Sequence, residues 1–170
     1  DISTIDEYQV ALNAGCTKEQ ALAAINRYSR DHARMPYPWS DAPNGGFTTG
    51  KPWLMVNPEW PTLNLAAEKQ QKDSVWHFYK QLIALRKNPE YSETVVYGVF
   101  EPWLREQHNL MAYLRKGEKT LLVAGNYQTE PQEMKLPAPI QKVLMNNMPE
   151  LEEKDGGVML KGYQFLVLEI

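Results

Sequence analysis

The sequence predicts a mixed fold: a helical, loop-rich N-terminal part followed by a small all-β antiparallel sandwich. Three observations predict it. Apolar residues recur at helical spacing in two stretches before residue 92, a long run rich in proline and tryptophan separates those stretches, and after Ser92 the period changes to two. With 170 residues, 43% of them apolar and 23% charged, the chain has the composition of a folded globular protein of one domain, or a domain plus part of another.

The first helix is expected from Thr17 to Arg34. Thr17 can cap it, with Gln20 reaching back as a capping box, and Ala21, Leu22, Ile25 and Tyr28 fall on one face. Gly15 closes whatever precedes it. The second helix is expected from Asp73, as cap, to Lys87, with Val75, Phe78, Tyr79, Leu82 and Leu85 on one face and Asn88-Pro89 as its stop. Between them, residues 35–64 hold Pro36, Pro38, Pro43, Pro52, Pro58 and Pro61 together with Trp39, Trp53 and Trp60. A loop this long in a compact domain is usually functional or disordered, and its aromatic content argues against disorder.

The β-rich runs are Thr94–Phe100, Leu110–Arg115, Thr120–Tyr127, Gln132–Leu136, Gln141–Met145, Val158–Leu160 and Tyr163–Ile170. Lys116-Gly117 and Asp155-Gly156 supply hairpin turns. Alternation places Val95, Leu122, Val143, Leu166 and Leu168 on the inner face of the sandwich, and two such faces must meet. The domains are therefore expected at residues 1–92 and 93–170.

Composition excludes several classes of function. Eighteen basic and 21 acidic side chains give a net charge of -3, which supplies no field to hold nucleic acid. No window approaches the ~20 apolar residues of a membrane span. Cys16 has no partner for a disulfide and the three histidines have no zinc spacing, so no metal or cofactor is expected and a reducing compartment, the cytoplasm, is. The chain opens Asp1-Ile2-Ser3 with neither a signal sequence nor an initiator methionine, which also fits a segment from inside a longer protein.

Arg30 and Arg34 stand four apart at the end of the first expected helix, with Asp31 able to hold the guanidinium of Arg34. One reading is an ordinary capping and ion-pair cluster. The other is a site: Pro36, Tyr37, Pro38 and Trp39 fix and pave the exit, and arginine beside aromatics can bind a neutral polyol or an anion. The glycines of the run from Trp39 to Trp53 lack the Gly-Lys-Ser/Thr ending of a phosphate loop. No pair of carboxylates is placed to cleave a glycoside, and neither Cys16 nor His32, His77 and His108 make a nucleophile-base pair. No catalytic residue is expected in this chain.

The segment Ser29-Arg30-Asp31-His32-Ala33-Arg34-Met35-Pro36-Tyr37-Pro38-Trp39 resembles the Ser-Arg-Asp-Asn-Ala-Arg-Thr-Pro-Met-Gln-Trp motif of the α-glucosidases in the α-amylase family, glycoside hydrolase family 13, and within it the oligo-1,6-glucosidase group. Gly46-Phe47-Thr48-Thr49-Gly50-Lys51-Pro52-Trp53, then Val56-Asn57-Pro58, continues the likeness. So does Asp73-Ser74-Val75 with the run from Phe78 to Lys87. Departures fall at His32, Met35 and Tyr37-Pro38.

The resemblance implies a fragment: the helical C-terminal remnant of a (β/α)8 barrel over residues 1–92, then the family's C-terminal β-sandwich over 93–170. The catalytic carboxylates would lie on earlier barrel strands. It also implies that Arg34, and Arg30 second, line the pocket for the terminal glucose, with Asp31 and Trp39 in support. The expected partners are the remainder of the parent barrel and an oligosaccharide substrate. The apolar face of the second helix would join barrel to sandwich, and the isolated chain would leave enough apolar surface to self-associate. Sucrose isomerase and trehalose-forming relatives share much of the segment. A free-standing carbohydrate-binding module with Trp39, Trp53 and Trp60 as platform, or a structural docking domain, are the competing readings.

Overall fold

The computed structural model describes residues 2–170, which divide into two compact units, 2–71 and 72–170. The division falls before the second helix, whereas the change of sequence period falls near residue 92.

The first unit opens with α1 (Ile2–Asn13), an element the sequence reading left unassigned. Its end is a left-handed cap: Gly15, at φ 91°, donates its N–H to the Leu12 carbonyl, and the Cys16 N–H reaches the Ala11 carbonyl. Next comes α2 (Lys18–Tyr28), started by the Thr17 and Gln20 capping box and seated by Ala21 and Ile25, both buried.

This helix does not continue to Arg34. Tyr28 is 72% exposed, so beyond Ile25 no apolar position is buried by another turn, and Ser29 takes an extended conformation. A short 3-10 turn over Asp31–Ala33 follows. Arg30 and Arg34 flank that turn as its two caps and do not share a helix face.

The loop over 35–64 is held by its own polar groups. The Trp39 and Ser40 N–H groups both donate to the Gly45 carbonyl, and the Asn44 amide donates to the carbonyls of Thr48 and Gly50. Gly45 sits at φ 65°, and a Cβ there would lie 3.0 Å from Pro38 Cα, so only glycine fits this crossing. Asn64 then caps α3 (Leu65–Glu68), and Leu65 and Ala66 donate back to the carbonyls of Pro38 and Trp39.

In the second unit α4 (Val75–Lys87) is capped by the Ser74 hydroxyl, which accepts from the His77 N–H, and not by Asp73. Asn88 ends it as expected. Thr94-Val95-Val96 looks like a strand by propensity, yet Ser92–Tyr97 is a helix, α5. Tyr91 and Thr94, three apart, are the buried pair, so burial at helical spacing overrides β-branched preference. Val95 is consequently on a helix and only half-buried.

The strands are β1 (Val99–Pro102), β2 (Leu110–Lys116), β3 (Thr120–Asn126), β4 (Gln132–Lys135), β5 (Lys142–Asn146), β6 (Glu152–Lys154), β7 (Gly157–Leu160) and β8 (Phe165–Glu169). They form two antiparallel sheets, ordered β1-β2-β3-β8-β5 and β4-β7-β6. One core cluster draws Leu114, Leu122, Leu166 and Leu168 from the first sheet and Met134, Val158 and Leu160 from the second. Val143 is not part of it. A register shift between Val143 and Met145 turns Met145 inward and leaves Val143 44% exposed. The strand β6 carries no sequence signal, because all three of its residues are exposed and show no alternation.

A polar cluster ties the segment before α5 to this sheet. The buried Tyr91 donates its hydroxyl to Glu169 Oε2 at 2.9 Å, while Lys119 pairs with Glu169 Oε1 at 2.7 Å and Lys142 donates to the Tyr91 oxygen at 3.3 Å. Hydrogen bonds from Lys119 and Tyr91 hold the Glu169 carboxyl below its ordinary value of 4.5. Burial, then the bond to Glu169, pushes the Tyr91 phenol up to about 12. The bond to Glu169 likewise raises Lys119.

The signs give two limbs. The carboxylate contribution is present above the unfolded value near 4.5 and is lost as pH falls through the lower folded value. The neutral-phenol contribution is present below pH 10 and is lost as pH rises from 10 toward about 12. A Tm profile against pH should therefore fall at both ends, and Tyr91→Phe should flatten the alkaline limb. An unchanged alkaline limb in that variant would remove Tyr91 as its source.

Candidate functional site

The sequence positions the candidate site by local rules. The 3-10 turn over Asp31–Ala33 puts Asp31 and Arg34 three apart, and the Arg34 guanidinium donates from Nη2 to Asp31 Oδ1. Pro36, buried, then holds Met35 out of helical conformation and ends the turn. The guanidinium carbon of Arg34 lies 5.8 Å from the centre of the Trp53 ring, a cation-π contact.

Asp31, Arg34 and Trp53 line one cavity of about 650 Å3 whose remaining wall is mostly apolar, with Ile5, Leu22 and Ile25 beside the hydroxyl-bearing Thr4 and Tyr8. The Arg34 side chain is 39% exposed and that of Asp31 29%. The arrangement offers a fixed fork of donors beside an aromatic face, and it can hold hydroxyls or a carboxylate. Among the described residues that line it, Asp31 is the one carboxylate, so they supply no pair of carboxyls to face one glycosidic bond.

The other two sequence candidates lie elsewhere. Arg30 precedes the turn, its carbonyl accepting the Ala33 N–H, and is not among the residues lining the cavity. Trp39, 52% exposed, packs edge-to-face with Tyr37 at 4.9 Å between ring centres, also away from the cavity lining. Trp53 is the residue that sequence reasoning placed only in a general aromatic platform. The signal available was its place in the Lys51-Pro52-Trp53 run; its meeting with Arg34 depends on how the loop folds back. Among the described residues no group of three or more His, Cys, Asp and Glu side chains could hold a metal ion. No helix is long and apolar enough to cross a membrane among them.

The family model for the α-amylase catalytic domain matches residues 3–98, more than half of the sequence, and the chain belongs to the α-amylase family. Within that family it is similar to the oligo-1,6-glucosidase of Bacillus cereus, with 34% identity over all of this chain and 31% of that protein. Among solved structures it is similar to the trehalose-6-phosphate hydrolase of Bacillus licheniformis, at TM-score 0.86 and 30% identity over 99% of this chain and 31% of the other. It is equally similar to the isomaltulose synthase of Klebsiella sp. LX3, at TM-score 0.85 and 30% identity over 99% of this chain and 31% of the other. The chain thus spans about a third of the length of the relatives it matches.

Proposed function

We propose that the chain is the C-terminal part of a longer, cytoplasmic retaining α-glucosidase that removes glucose from short α-1,6-linked oligosaccharides. Residues 1–92 would be the end of its (β/α)8 barrel and 93–170 its C-terminal β-sandwich. The observation that carries this reading is the Ser29 to Trp39 segment, whose Arg34 and Asp31 sit joined in one cavity. The likeness to oligo-1,6-glucosidases and the core shared by two antiparallel sheets support it. In the complete enzyme Arg34 holds hydroxyls of the terminal glucose or a carboxylate that touches them, while the carboxylates that cleave the bond come from the remainder of the barrel.

Exposed apolar faces support reading the rest of the barrel as a partner of this chain. On α1, Ile2 and Ile5 are 82% and 71% exposed; on α4, Val75, Tyr79 and Ile83 recur four apart along one exposed face. In the complete protein the rest of the barrel would cover such faces, and without it the chain self-associates.

Isomerisation of sucrose is the second reading, favoured by the likeness to isomaltulose synthase. Incubating the full-length protein with isomaltose and, separately, with sucrose decides between them: glucose from isomaltose supports the hydrolase, and a rearranged disaccharide from sucrose supports the isomerase. The 170-residue chain alone should release nothing from a nitrophenyl α-glucoside, since it lacks the acid pair. Turnover that survives rigorous purification would overturn the assignment of catalysis to the missing part.

A further inference from the structure

Trp53 keeps 66% of its surface in solvent, so burial in the core of this chain does not account for its place. The loop that delivers it nevertheless follows a defined path. Asn44, in the left-handed region at φ 56°, donates its side-chain amide to the carbonyls of Thr48 at 3.1 Å and Gly50 at 3.2 Å, and the Gly50 N–H donates to the Thr48 hydroxyl at 3.1 Å. Pro52 then restricts Lys51 to extended conformations and fixes its own φ, which narrows the directions in which Trp53 can leave the turn.

The ring arrives at a charge. The guanidinium carbon of Arg34 lies over it, 5.8 Å from the ring centre. Arg34 is also paired with Asp31 through Nη2, but both side chains are partly exposed, and an exposed ion pair contributes little against the rotamer freedom of a long side chain. That pair fixes one corner of the fork and leaves the guanidinium plane able to swing about the bond. An aromatic face within about 6 Å adds an attraction of its own and restricts the swing.

Asp31, Arg34 and Trp53 line the same cavity, so the restriction acts on donors that an occupant of the cavity would meet. We infer that Trp53 is a positioning residue: its ring, together with Asp31, holds the plane of the Arg34 guanidinium so that the fork stays turned to the cavity. The inference rests on the reading of that cavity as part of the glucose pocket of the longer enzyme.

A double-mutant cycle in the full-length protein separates this role from the others open to the ring. Trp53→Leu should lower kcat/KM for isomaltose by about three- to tenfold, the scale of a partly exposed cation-π contact, and Trp53→Phe should restore most of the loss. In an Arg34→Met background, where no cation remains to be held, Trp53→Leu should change kcat/KM by less than about twofold. A ring that touches the sugar directly, or that only supports the loop, keeps its full effect there. Equal losses in the two backgrounds, or an unchanged kcat/KM in Trp53→Leu alone, would overturn the inference.

NMR of the 170-residue chain reads the same contact without turnover. The Arg34 Nε–H resonance should lie upfield of its random-coil position under the ring current of Trp53, move back in Trp53→Leu and stay largely in place in Trp53→Phe. If Trp53→Leu does not fold, the resonance of the unaltered chain decides, and a random-coil position there would overturn the inference. Full-length protein that releases no glucose from isomaltose, with the resonance shifted as expected, would remove the glucosidase reading and leave the hold of Trp53 on Arg34 standing.

Discussion

Arg34→Lys in the full-length protein should lower kcat/KM for isomaltose by an amount equivalent to about 2–4 kcal/mol, with the melting temperature nearly unchanged. The charge is kept, so an effect of this size cannot come from a lost positive field. What is lost is the planar fork, which presents several N–H groups at fixed angles and here already commits one to Asp31 while facing Trp53. Lysine offers a single rotatable ammonium on a flexible stem. A role confined to structure reverses the pattern, giving a lower Tm with near-normal kinetics in the folded fraction. Arg30→Lys is the internal comparison: Arg30 does not line the cavity, and its substitution should leave kcat/KM within a factor of about three. Unchanged kinetics at Arg34 would take it out of the site.

Leu168→Ala should destabilise the second unit by about 2–5 kcal/mol, since the residue is fully buried on β8, an interior strand of the five-stranded sheet, opposite Leu122. The cavity it leaves opens toward Met134, Val158 and Leu160 of the other sheet, and β strands held in register on both sides collapse poorly into such a gap. Against a total of ~5–15 kcal/mol for a domain, the loss should appear as a Tm lower by at least ~10 °C. Val143→Ala on the neighbouring strand should cost less than ~1 kcal/mol, because Val143 is 44% exposed. Thermal melts of the two variants side by side test the placement of the core, and similar losses would contradict it.

The contrast between Leu168 and Val143 also shows where sequence reading stops. Alternation alone gives both residues an inward place, and for Leu122, Leu166 and Leu168 that holds. The bulge in β5 reverses it for Val143, and no residue type there announces the bulge. The first helix behaves similarly. Its start is legible because Thr17 and Gln20 satisfy backbone groups within one turn, whereas its end at Tyr28 depends on which side chains find something to bury against. The Thr94-Val95-Val96 run is misread as a strand for the same reason, since the burial of Tyr91 and Thr94 is set by a sheet whose strands come later in the chain.

The candidate site divides along the same line. The pairing of Asp31 with Arg34 needs only one short turn, and the order of motifs that ties the chain to the α-amylase family is carried by consecutive residues. Both are properties of neighbours along the chain, and the sequence by itself determines them. The meeting of Trp53 with Arg34 and the absence of Arg30 and Trp39 from the cavity wall were decided by tertiary structure alone. Each depends on which distant segments pack together, and packing selects among many compatible loop paths by burial and hydrogen-bond satisfaction that no local pattern encodes.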